Sequence, residues 1–453
     1  MFDYINVIGA GLAGSEAAYQ IAKRGVKVNL YEMKATKKTP AHHSNNFGEL
    51  VCSNSLKSMS IENASGLLKE EMKELDSLII KAAMSSSVKA GQALSVDREL
   101  FSSYITNEIK NNPLINIINE EVTCIPKGIT IIASGPLTSD ALSKEIANLL
   151  NEEYLYFYDA SSPIIETSSI NFDIAFKKSR YDKGDADYIN CPFNKEQFFN
   201  FYNELINATR VPLHEFEKEL HFEACMPIEV IAKGGHKSLT FGPMKPVGLT
   251  PPSGEKPFAV VQLRQDNAIG DLYNIVGFQT NLTWKEQDRV FRMIPGLENA
   301  KIYRYGVMHR NTYINAPKHL NKHMQLKHNQ LIFFAGQLSG VEGYIESSAS
   351  AILAAINAVR LSKNQPLVEL PTTTVLGSLV HYICNASSKD FRPMNSNYGI
   401  MINRPKDKLE IANKSLNDLK VWKDENHEWF IFKRIFWLFK ISKKVFIEHN
   451  KLL

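Results

Sequence analysis

The chain has 453 residues, of which 44% are hydrophobic and 22% charged, with a net charge of +4. This composition predicts a soluble globular protein of two or three domains and argues against a disordered or membrane-spanning chain. The segment from Arg404 onward carries 12 Lys or Arg residues against 7 Asp or Glu residues, so the rest of the chain is nearly neutral. Bulk charge therefore does not hold nucleic acid, and an RNA site on the body must be a local patch.

Cysteine usage points to a reducing compartment. The five cysteines are far apart and form no CxxC pair: Cys52, Cys124, Cys191, Cys225 and Cys384. This spacing argues against a disulfide framework and against a zinc site. No signal peptide or membrane segment is evident, so we expect a cytoplasmic protein with no metal centre and no obligate protein partner.

The first 32 residues contain a complete dinucleotide-binding pattern. A strand over Tyr4–Ile8 precedes a glycine turn, a helix runs from Ser15 to about Lys23, and a second strand from Val26 to Tyr31 ends on Glu32. The turn consists of Gly9, Ala10, Gly11, Leu12, Ala13 and Gly14. Because strand, turn, helix, second strand and acidic residue are all present, the pattern predicts a bound dinucleotide.

The glycines and the acidic residue of this pattern each have a physical task. Gly9 permits the tight turn, Gly11 lets the backbone approach a pyrophosphate, and Gly14 lets the helix pack close to the strand. The phosphates are expected at the helix N-terminus, where free N–H groups favour negative charge. Glu32 is expected to accept hydrogen bonds from the ribose hydroxyls of the adenosine.

The next elements continue a nucleotide-binding domain. The loop after Glu32 contains His42 and His43 and is expected to line the cofactor mouth rather than to bind metal. Helical spacing predicts a helix over Ala64–Ala83 and another from Arg98 to Lys110, with Asp97 as a possible N-cap. The run 128–134 reads as a buried strand that returns the chain to the nucleotide sheet.

The pattern changes between about residues 154 and 314. Short alternating strands with Pro and Gly turns surround one clear helix over Lys195–Thr209, which predicts an inserted α+β domain facing the substrate. The sheet of the first domain resumes at 331–337, and a glycine turn at 340–347 leads into an Ala-rich helix that ends near Val359. Many FAD enzymes place such a helix N-terminus at the pyrimidine end of the flavin, so this second motif favours FAD over NAD.

These patterns predict an α/β fold: a Rossmann-like FAD-binding domain with an inserted α+β domain and a helical C-terminal tail. We expect residues 1–150 and 326–403 to form the two parts of the FAD-binding domain and residues 151–325 to form the insertion. The basic aromatic tail, residues 404–453, contains Trp422, Trp429 and Trp437. It is expected either to pack on the body as a helix or to contact RNA or a membrane surface.

Several blocks of the chain resemble the folate- and FAD-dependent tRNA (uracil-5-)-methyltransferases, TrmFO. The resemblance covers nearly all of residues 5–400 and departs from the family in the tail past Asn403. The blocks are specific and include VIGAGLAGSEAA, ELVCSNSLKS, SRYDKGDADYINCP, EACMPIE, FGPMKPVGL, VVQLRQDN, YGVMHRNTYIN and FFAGQLSGVEGYIES.

The resemblance implies methylation of uridine 54 in the tRNA T-loop at carbon 5. The one-carbon unit would come from 5,10-methylenetetrahydrofolate, and the hydride from FADH2 that NADH or NADPH regenerates. Carbon 5 becomes nucleophilic only after a group adds to carbon 6, and a thiolate suits that step. A second group must then remove the proton from carbon 5.

The family motifs map onto two cysteines, Cys225 as the nucleophile and Cys52 as the acid/base partner, with the exchange of these roles left open. His309 is expected to stack on the pterin. The other cysteines, Cys124, Cys191 and Cys384, are read as structural residues, buried like most free cysteines. Beyond the turn residues and Glu32, the predicted cofactor contacts are Gly336, Gln337, Gly343, Tyr344 and Glu346. The predicted RNA contacts are Lys177, Lys178, Arg180, Lys183 and Arg264.

Four other functions are alternatives to this one. The same chemistry could act on a ribosomal RNA uridine, and a larger related flavoprotein family modifies the anticodon wobble uridine, although this chain is short for it. A flavoprotein disulfide reductase needs two cysteines close in sequence, and the chain has none. A non-catalytic RNA-binding flavoprotein has no need for both Cys52 and Cys225 in intact motifs.

Overall fold

The structure, a computed structural model, describes residues 3–39, 41–152, 155–182, 185–212, 226–389 and 391–426, without the side chains of 155–159, 309 and 310. The strands of the described residues are β1 (Tyr4–Ile8), β2 (Lys27–Tyr31), β3 (Ser55–Ser58), β4 (Ser87–Val88), β5 (Ala93–Val96), β6 (Ile115–Ile118), β7 (Thr130–Ile132), β8 (Leu155–Ala160), β9 (Ile164–Glu166), β10 (Phe176–Lys177), β11 (Tyr188–Phe193), β12 (Ala259–Gln265), β13 (Leu272–Ile275), β14 (Ile302–Arg304), β15 (Met308–Tyr313), β16 (Gln325–Leu326) and β17 (Asn329–Phe334). The helices are α1 (Leu12–Lys23), α2 (Ala64–Glu74), α3 (Leu78–Ser85), α4 (Arg98–Lys110), α5 (Asp140–Leu150), α6 (Lys195–Asn207), α7 (Ile228–Lys233), α8 (His236–Thr240), α9 (Trp284–Phe291), α10 (Ala316–His319), α11 (Tyr344–Ser362), α12 (Val375–Asn385) and α13 (Lys408–Glu425).

A Rossmann-like sheet forms the first layer of the fold. Its strand order is β16-β17-β7-β1-β2-β6, and the strands are parallel except for the β16–β17 hairpin. The central strand β1 is fully buried from Ile5 to Ile8, as a parallel strand covered on both faces must be. The carboxyl ends of β1, β2 and β7 therefore meet at one edge, where ligands of such sheets bind.

A second sheet, antiparallel throughout, is formed by the inserted segment. Its order is β10-β11-β12-β13-β9-β14, and helix α6 packs on it through Phe198 and Phe201, which are completely buried. This sheet has a hydrophobic core of its own, drawn from residues 165–302, while the core of the first sheet is drawn from residues 5–150 and 313–422. The change of core between residues 150 and 165 agrees with the first predicted boundary, whereas residues 313–324 pack in the core of the first sheet although the predicted boundary near 325 assigns them to the insertion. The domain boundaries themselves remain a prediction.

The segment predicted as one helix over Ala64–Ala83 is two helices. The chain turns between α2 and α3 because Asp76 adopts a positive φ of 58° and Ser77 caps α3 by accepting a hydrogen bond from the Ile80 N–H. The buried carboxylate of Glu16, on α1, also accepts hydrogen bonds from the N–H groups of Leu78 and Ile79. The apolar periodicity runs through this break, which is why the sequence pattern missed it.

A second buried carboxylate, that of Glu71, caps helix α12 from a distance. It accepts hydrogen bonds from the N–H groups of Val375 (2.7 Å) and Leu376 (2.9 Å) and from the Ser415 hydroxyl (2.6 Å). Burial raises the pKa of Glu71 to about 7. One side chain of α2 thus ties together α12 and the C-terminal helix α13.

We expect Glu71→Ala to lower the free energy of unfolding by about 3 kcal/mol, because it leaves buried donors without an acceptor. Glu71→Gln keeps one acceptor oxygen and should lose about 1 kcal/mol. The neighbouring surface substitution Glu70→Ala is the control and should change stability by less than about 0.5 kcal/mol. Urea denaturation of the three variants measures the differences, and equal stability of Glu71→Ala and Glu70→Ala would contradict this role.

The C-terminal helix packs on the first domain, as one of the two expectations for the tail requires. Ile411, Leu419 and Trp422 of α13 are buried, and the Trp422 indole N–H donates a 2.6 Å hydrogen bond to the Glu369 carbonyl. Trp429 and Trp437 lie outside the described residues, so the RNA or surface role of the remaining tail stays a prediction. Within the described ranges, none of the helices is both long and apolar enough to cross a bilayer.

Candidate active site

The glycine turn after β1 has the geometry of a phosphate-binding loop. Gly9 has a φ of 94°, and a Cβ there would lie 2.7 Å from the Ser134 Cα. A Cβ on Gly14 would collide with the Gly9 carbonyl oxygen, whereas a Cβ on Gly11 would meet no atom within 4 Å. The helix also begins at Leu12, earlier than the predicted Ser15, so Gly14 lies inside the first turn of α1. Contacts within the protein therefore exclude a side chain at positions 9 and 14, whereas Gly11 faces open space.

Glu32, at the end of β2, supports this turn. Its carboxylate accepts hydrogen bonds from the N–H groups of Ala10 (2.8 Å) and Lys34 (2.9 Å). Glu32, Gly9 and Gly11 line a cavity of about 70 Å³ that continues the cleft along the carboxyl edge of the sheet. The contact between Glu32 and a ribose remains a prediction, for which the carboxylate has lone pairs left.

We expect Gly11→Val and Gly14→Ala to fail in different ways. Gly11→Val should leave the unfolding temperature of the cofactor-free protein within a few degrees of the original while reducing FAD retention at least tenfold, because the new side chain enters the space for a pyrophosphate. Gly14→Ala should lose both stability and FAD, since its methyl group meets backbone. Thermal unfolding and the flavin absorbance band measure the two effects, and full FAD retention by Gly11→Val would contradict the assignment.

The main cavity, of about 330 Å³, lies where three backbone turns meet. These are the glycine turn at Gly11, the turn at Ser134–Pro136 after β7, and the start of α11 at Gly343. Four further residues predicted to bind the cofactor or take part in catalysis also line it: Cys52, Gln337, Tyr344 and Glu346. Gly336 lies behind it, where a Cβ would be 2.7 Å from the Ala13 Cβ and would push α1 away. Loop residue His42 lines the mouth, as expected for that loop.

The N-terminus of α11 faces this cavity and carries an ion pair between a buried carboxylate and a partly exposed ammonium. The helix follows Gly343, whose φ is 113°. The Glu346 carboxylate is fully buried and pairs with the Lys57 ammonium at 2.7 Å and with Ser396. Burial alone would raise the pKa of Glu346, but the Lys57 charge and these hydrogen bonds bring it below its ordinary value. A cation and a helix N-terminus thus lie together at this end of the cavity.

The loop that carries Cys52 is held by residues from distant parts of the chain. The Arg98 guanidinium donates to the carbonyl oxygens of Leu50 (2.6 Å) and Cys52 (2.7 Å) and pairs with Asp266 at 3.0 Å. The Cys52 N–H donates a 2.8 Å hydrogen bond to the Tyr344 hydroxyl, 292 residues away in sequence. The arrangement keeps Cys52 half-buried at the wall of the main cavity.

Two predicted catalytic groups, the Cys225 thiol and the His309 ring, are not part of the described structure. Cys225 lies outside the described residues, and so does the side chain of His309. The chain just after Cys225 is fixed beside the cavity, because the Ile228 N–H donates a 2.7 Å hydrogen bond to the carbonyl of Gln279, a cavity residue. Asn311, on the same strand as His309, also lines the cavity.

The side chains of two predicted RNA contacts form hydrogen bonds with other groups of the protein. Arg264 is 8% exposed, and its guanidinium donates to Ser53 (2.7 Å) and Asn54 (3.2 Å). Arg180 donates to the Lys245 carbonyl and to Gln262, both at 3.0 Å. Lys177 is exposed, Lys178 pairs with Asp182 at 3.3 Å, and Lys183 lies outside the described residues. Phosphate contact by these five residues remains a prediction. The burial of Arg264 argues against such a contact for that residue.

The other cysteines divide into two kinds. Cys191 and Cys384 are buried, as expected of structural residues; burial raises the pKa of Cys191 and brings that of Cys384 to about 12. Cys124 is exposed, so the expectation of a buried residue was wrong there. It lies in the irregular segment between β6 and β7, where no periodicity indicates which side chains face the core.

Sequence patterns missed three residues of this site, Arg98, Lys57 and Gln279. Arg98 was visible only as the start of a predicted helix, whose N-cap, Asp97, is confirmed by its hydrogen bond from the Leu100 N–H. Lys57 lies inside the ELVCSNSLKS block and has a positive φ of 65°, an uncommon conformation for lysine. Gln279 carries no local signal, since the cavity reaches it only through the packing of the two domains.

The comparison with known proteins agrees with this architecture. A family model described as "Glucose inhibited division protein A" matches residues 4–366. A crystal structure of Aquifex aeolicus GidA superposes with a TM-score of 0.70 at 17% identity, covering 99% of this chain and 76% of the GidA chain. At that identity the likeness concerns the fold, an α/β architecture with a Rossmann-like sheet and an inserted domain.

Relatives with much higher sequence identity to this chain identify its family more specifically. The chain is 60% identical over 402 residues to a Bacillus pumilus protein, covering 88% of this chain and 93% of the relative. It is 56% identical over 431 residues to a Brevibacillus brevis protein (93% and 99%) and 57% identical over 411 residues to one from Bacillus subtilis (90% and 94%). All three are named methylenetetrahydrofolate–tRNA-(uracil-5-)-methyltransferase TrmFO. The chain therefore belongs to the TrmFO family.

Proposed function

We propose that this protein is an FAD-dependent tRNA methyltransferase that forms 5-methyluridine at position 54 of the T-loop. The one-carbon unit comes from 5,10-methylenetetrahydrofolate, and NADH or NADPH supplies the reducing equivalents. The observation that carries the proposal is the position of Cys52, which is held at the wall of the cavity between the glycine turn and the start of α11. The names of the related proteins support the same reaction.

The residues present fit FAD. The open space over Gly11 and the N-terminus of α1 suit a pyrophosphate, and Glu32, whose carboxylate accepts from the Ala10 N–H of the same turn, is proposed to contact the adenosine ribose. The N-terminus of α11 and the Lys57 ammonium suit the negative charge of a reduced flavin ring. When bound, FAD would supply the hydride that converts a one-carbon bridge into a methyl group.

Two thiols of the protein are proposed to carry out the remaining steps on the uracil. Cys225 is proposed to add to carbon 6 of the uracil, and Cys52 to remove the proton from carbon 5. Arg98 holds the Cys52 backbone through its carbonyl, so it acts as a positioning residue for that thiol. The Tyr344 hydroxyl accepts from the Cys52 N–H, which fixes an aromatic ring in the same wall.

The remaining contacts of the proposal involve folate and RNA. His309 is proposed to stack on the pterin, and the Lys177–Lys183 stretch is proposed to contact the tRNA phosphates. A protein acting on tRNA with folate and a nicotinamide dinucleotide is expected in the cytoplasm. The wobble-uridine alternative is not favoured, because the relatives of 56–60% identity are named for uracil-5 methylation.

Mass-spectrometric mapping tests the reaction and its target. The purified protein is incubated with unmodified tRNA, methylenetetrahydrofolate and NADH or NADPH, and a parallel reaction contains ribosomal RNA. We expect 5-methyluridine at position 54 of the tRNA only, and none when the folate is left out. A product at the wobble position, or on ribosomal RNA alone, would contradict the proposed substrate.

A further inference from the structure

A third cavity, of about 100 Å³, adjoins the main one on the side of the inserted domain. Cys52, Ser53 and Gln279 line both cavities, so a group bound in the smaller one lies against the Cys52 loop. The other wall is formed by β12 and β13, with Arg264 and Asn274 as its polar side chains. The two domains thus enclose a polar recess beside the thiol.

Arg264 and Asn274 lie opposite each other on neighbouring strands, so their side chains share one face of the sheet. Asn274 is 3% exposed, and its Nδ2 atom has no hydrogen-bond partner within the described part of the chain. A buried amide donor without an acceptor is unfavourable and uncommon in folded proteins. Its position in the wall of a polar recess indicates that a ligand oxygen completes it.

Arg264 presents a second unusual feature, a buried cation without a counter-ion. Its hydrogen bonds go to the neutral groups of Ser53 and Asn54, and the nearby Asp266 pairs with Arg98 instead. Across the described residues, Arg264 forms no ion pair with a carboxylate, and burial lowers its pKa. A buried guanidinium in this state favours a ligand that carries negative charge or develops it.

We propose that this recess holds the Watson–Crick edge of the target uracil, with Arg264 donating to O4, Asn274 Nδ2 donating to O2 and the Gln279 amide oxygen accepting from N3–H. The inference rests on the proposed function and deepens it by assigning the base-recognition site. Uracil offers carbonyl oxygens at positions 2 and 4 and a donor at N3, which matches these three side chains. Cytosine places an amino donor at position 4, which would face the Arg264 donors.

The same placement assigns Arg264 a role in activating the base. When a thiolate adds to carbon 6, its lone pair forms the S–C6 bond, the C5=C6 electrons form a C4=C5 bond, and the C4=O4 electrons move onto O4. The product is an enolate whose negative charge lies on O4. A fixed guanidinium next to that oxygen stabilises this charge in a site that excludes water.

The test compares Asn274→Asp and Arg264→Gln with a control, Asn203→Asp, at an exposed position of α6. Binding is measured by competition between T-arm RNAs carrying uridine or cytidine at position 54. The unaltered protein and Asn203→Asp should prefer the uridine RNA at least tenfold, and Asn274→Asp should lose that preference while its FAD content is unchanged. Equal preference in Asn274→Asp and Asn203→Asp would overturn the assignment.

Kinetics and salt dependence test Arg264 separately. We expect kcat/KM for methylation to fall roughly 10²-fold in Asn274→Asp and roughly 10³-fold in Arg264→Gln. The dependence of tRNA affinity on salt should not change, because a base edge releases no counterions. If Arg264→Gln instead lowers the salt slope by about one and weakens the uridine and cytidine RNAs equally, Arg264 binds phosphate and the base-edge role is wrong.

These outcomes distinguish a failure of the base-recognition site from a failure of the proposed methyltransferase activity. If the unaltered protein fails to methylate tRNA, the proposed function fails and the inference fails with it. If the unaltered protein methylates tRNA and Asn274→Asp does so equally well, only the inference fails. Asn274 Nδ2 bonds no described protein atom, and the new carboxylate would lie beside the Arg264 guanidinium, which offers it a counter-ion, so the isosteric Asn274→Asp change should leave the fold intact.

Discussion

Cys225→Ala should abolish methylation of tRNA, with a loss of roughly 10⁴-fold or more in kcat, and should prevent a covalent complex with T-arm RNA that contains 5-fluorouridine. The reason is that no other group is assigned to add to carbon 6, and carbon 5 is a poor nucleophile without that addition. Fluorine at carbon 5 cannot leave as a proton does, so the enzyme that adds to carbon 6 remains attached to the RNA. Denaturing gel electrophoresis detects the complex as a shifted band.

The matched control for this variant is Cys191→Ala, which removes a thiol from the buried face of β11 and leaves the cavity walls unchanged. Cys191→Ala should still form the complex, even if it is less stable. A complex that survives in Cys225→Ala and disappears in Cys52→Ala would assign the nucleophile to Cys52 and exchange the two roles.

Cys52→Ala should lower kcat by roughly 10³-fold while keeping the flavin and the covalent complex, because the variant loses the base that removes the carbon 5 proton but retains the nucleophile. Its structural contacts predict this separation: the Cys52 backbone N–H and carbonyl bind Tyr344 and Arg98 at 2.8 and 2.7 Å, whereas the thiol donates a long 3.7 Å hydrogen bond to the Ala160 carbonyl. The loop should therefore keep its position without the thiol. Rapid-quench kinetics with the 5-fluorouridine RNA and with normal tRNA measure the two steps separately.

An Arg98→Lys variant is the companion to this measurement, since it keeps the charge and Cys52 but cannot bond the Leu50 and Cys52 carbonyls and Asp266 at once. A loss of kcat in Arg98→Lys with unchanged FAD content would show that the loop position matters. If Cys52→Ala retains full activity, the acid/base assignment is wrong.

The sequence was informative where function depends on backbone turns. The spacing of Gly9, Gly11 and Gly14 is set by local geometry, and the structure shows the close contacts that exclude a side chain at Gly9 and Gly14. Element types were also predictable where the periodicity was strong, as in α4 and α11. Element boundaries were less predictable. The break at Asp76 depends on a positive φ and on capping by Glu16 from another helix, and neither feature is visible in a local sequence pattern.

The walls of the site were harder to predict because they are assembled by tertiary contacts. Arg98 reaches Cys52 across 46 residues and Asp266 across 168 residues. The sequence predicts Arg264 as a phosphate contact, because an isolated arginine next to polar residues gives no local sign of burial. Only the pairing of β12 with β13 and their contact with the Cys52 loop show that it is enclosed.

A single-turnover experiment without nicotinamide tests whether the reduced flavin supplies the hydride of the new methyl group. The flavin of the purified protein is reduced under anaerobic conditions by light with EDTA as the electron donor, and is then mixed with unmodified tRNA and methylenetetrahydrofolate labelled with ¹³C in the methylene group. We expect one labelled 5-methyluridine for each flavin that regains its yellow colour. A labelled methyl group formed while the flavin stays reduced, or flavin reoxidation without any labelled nucleoside, would contradict it.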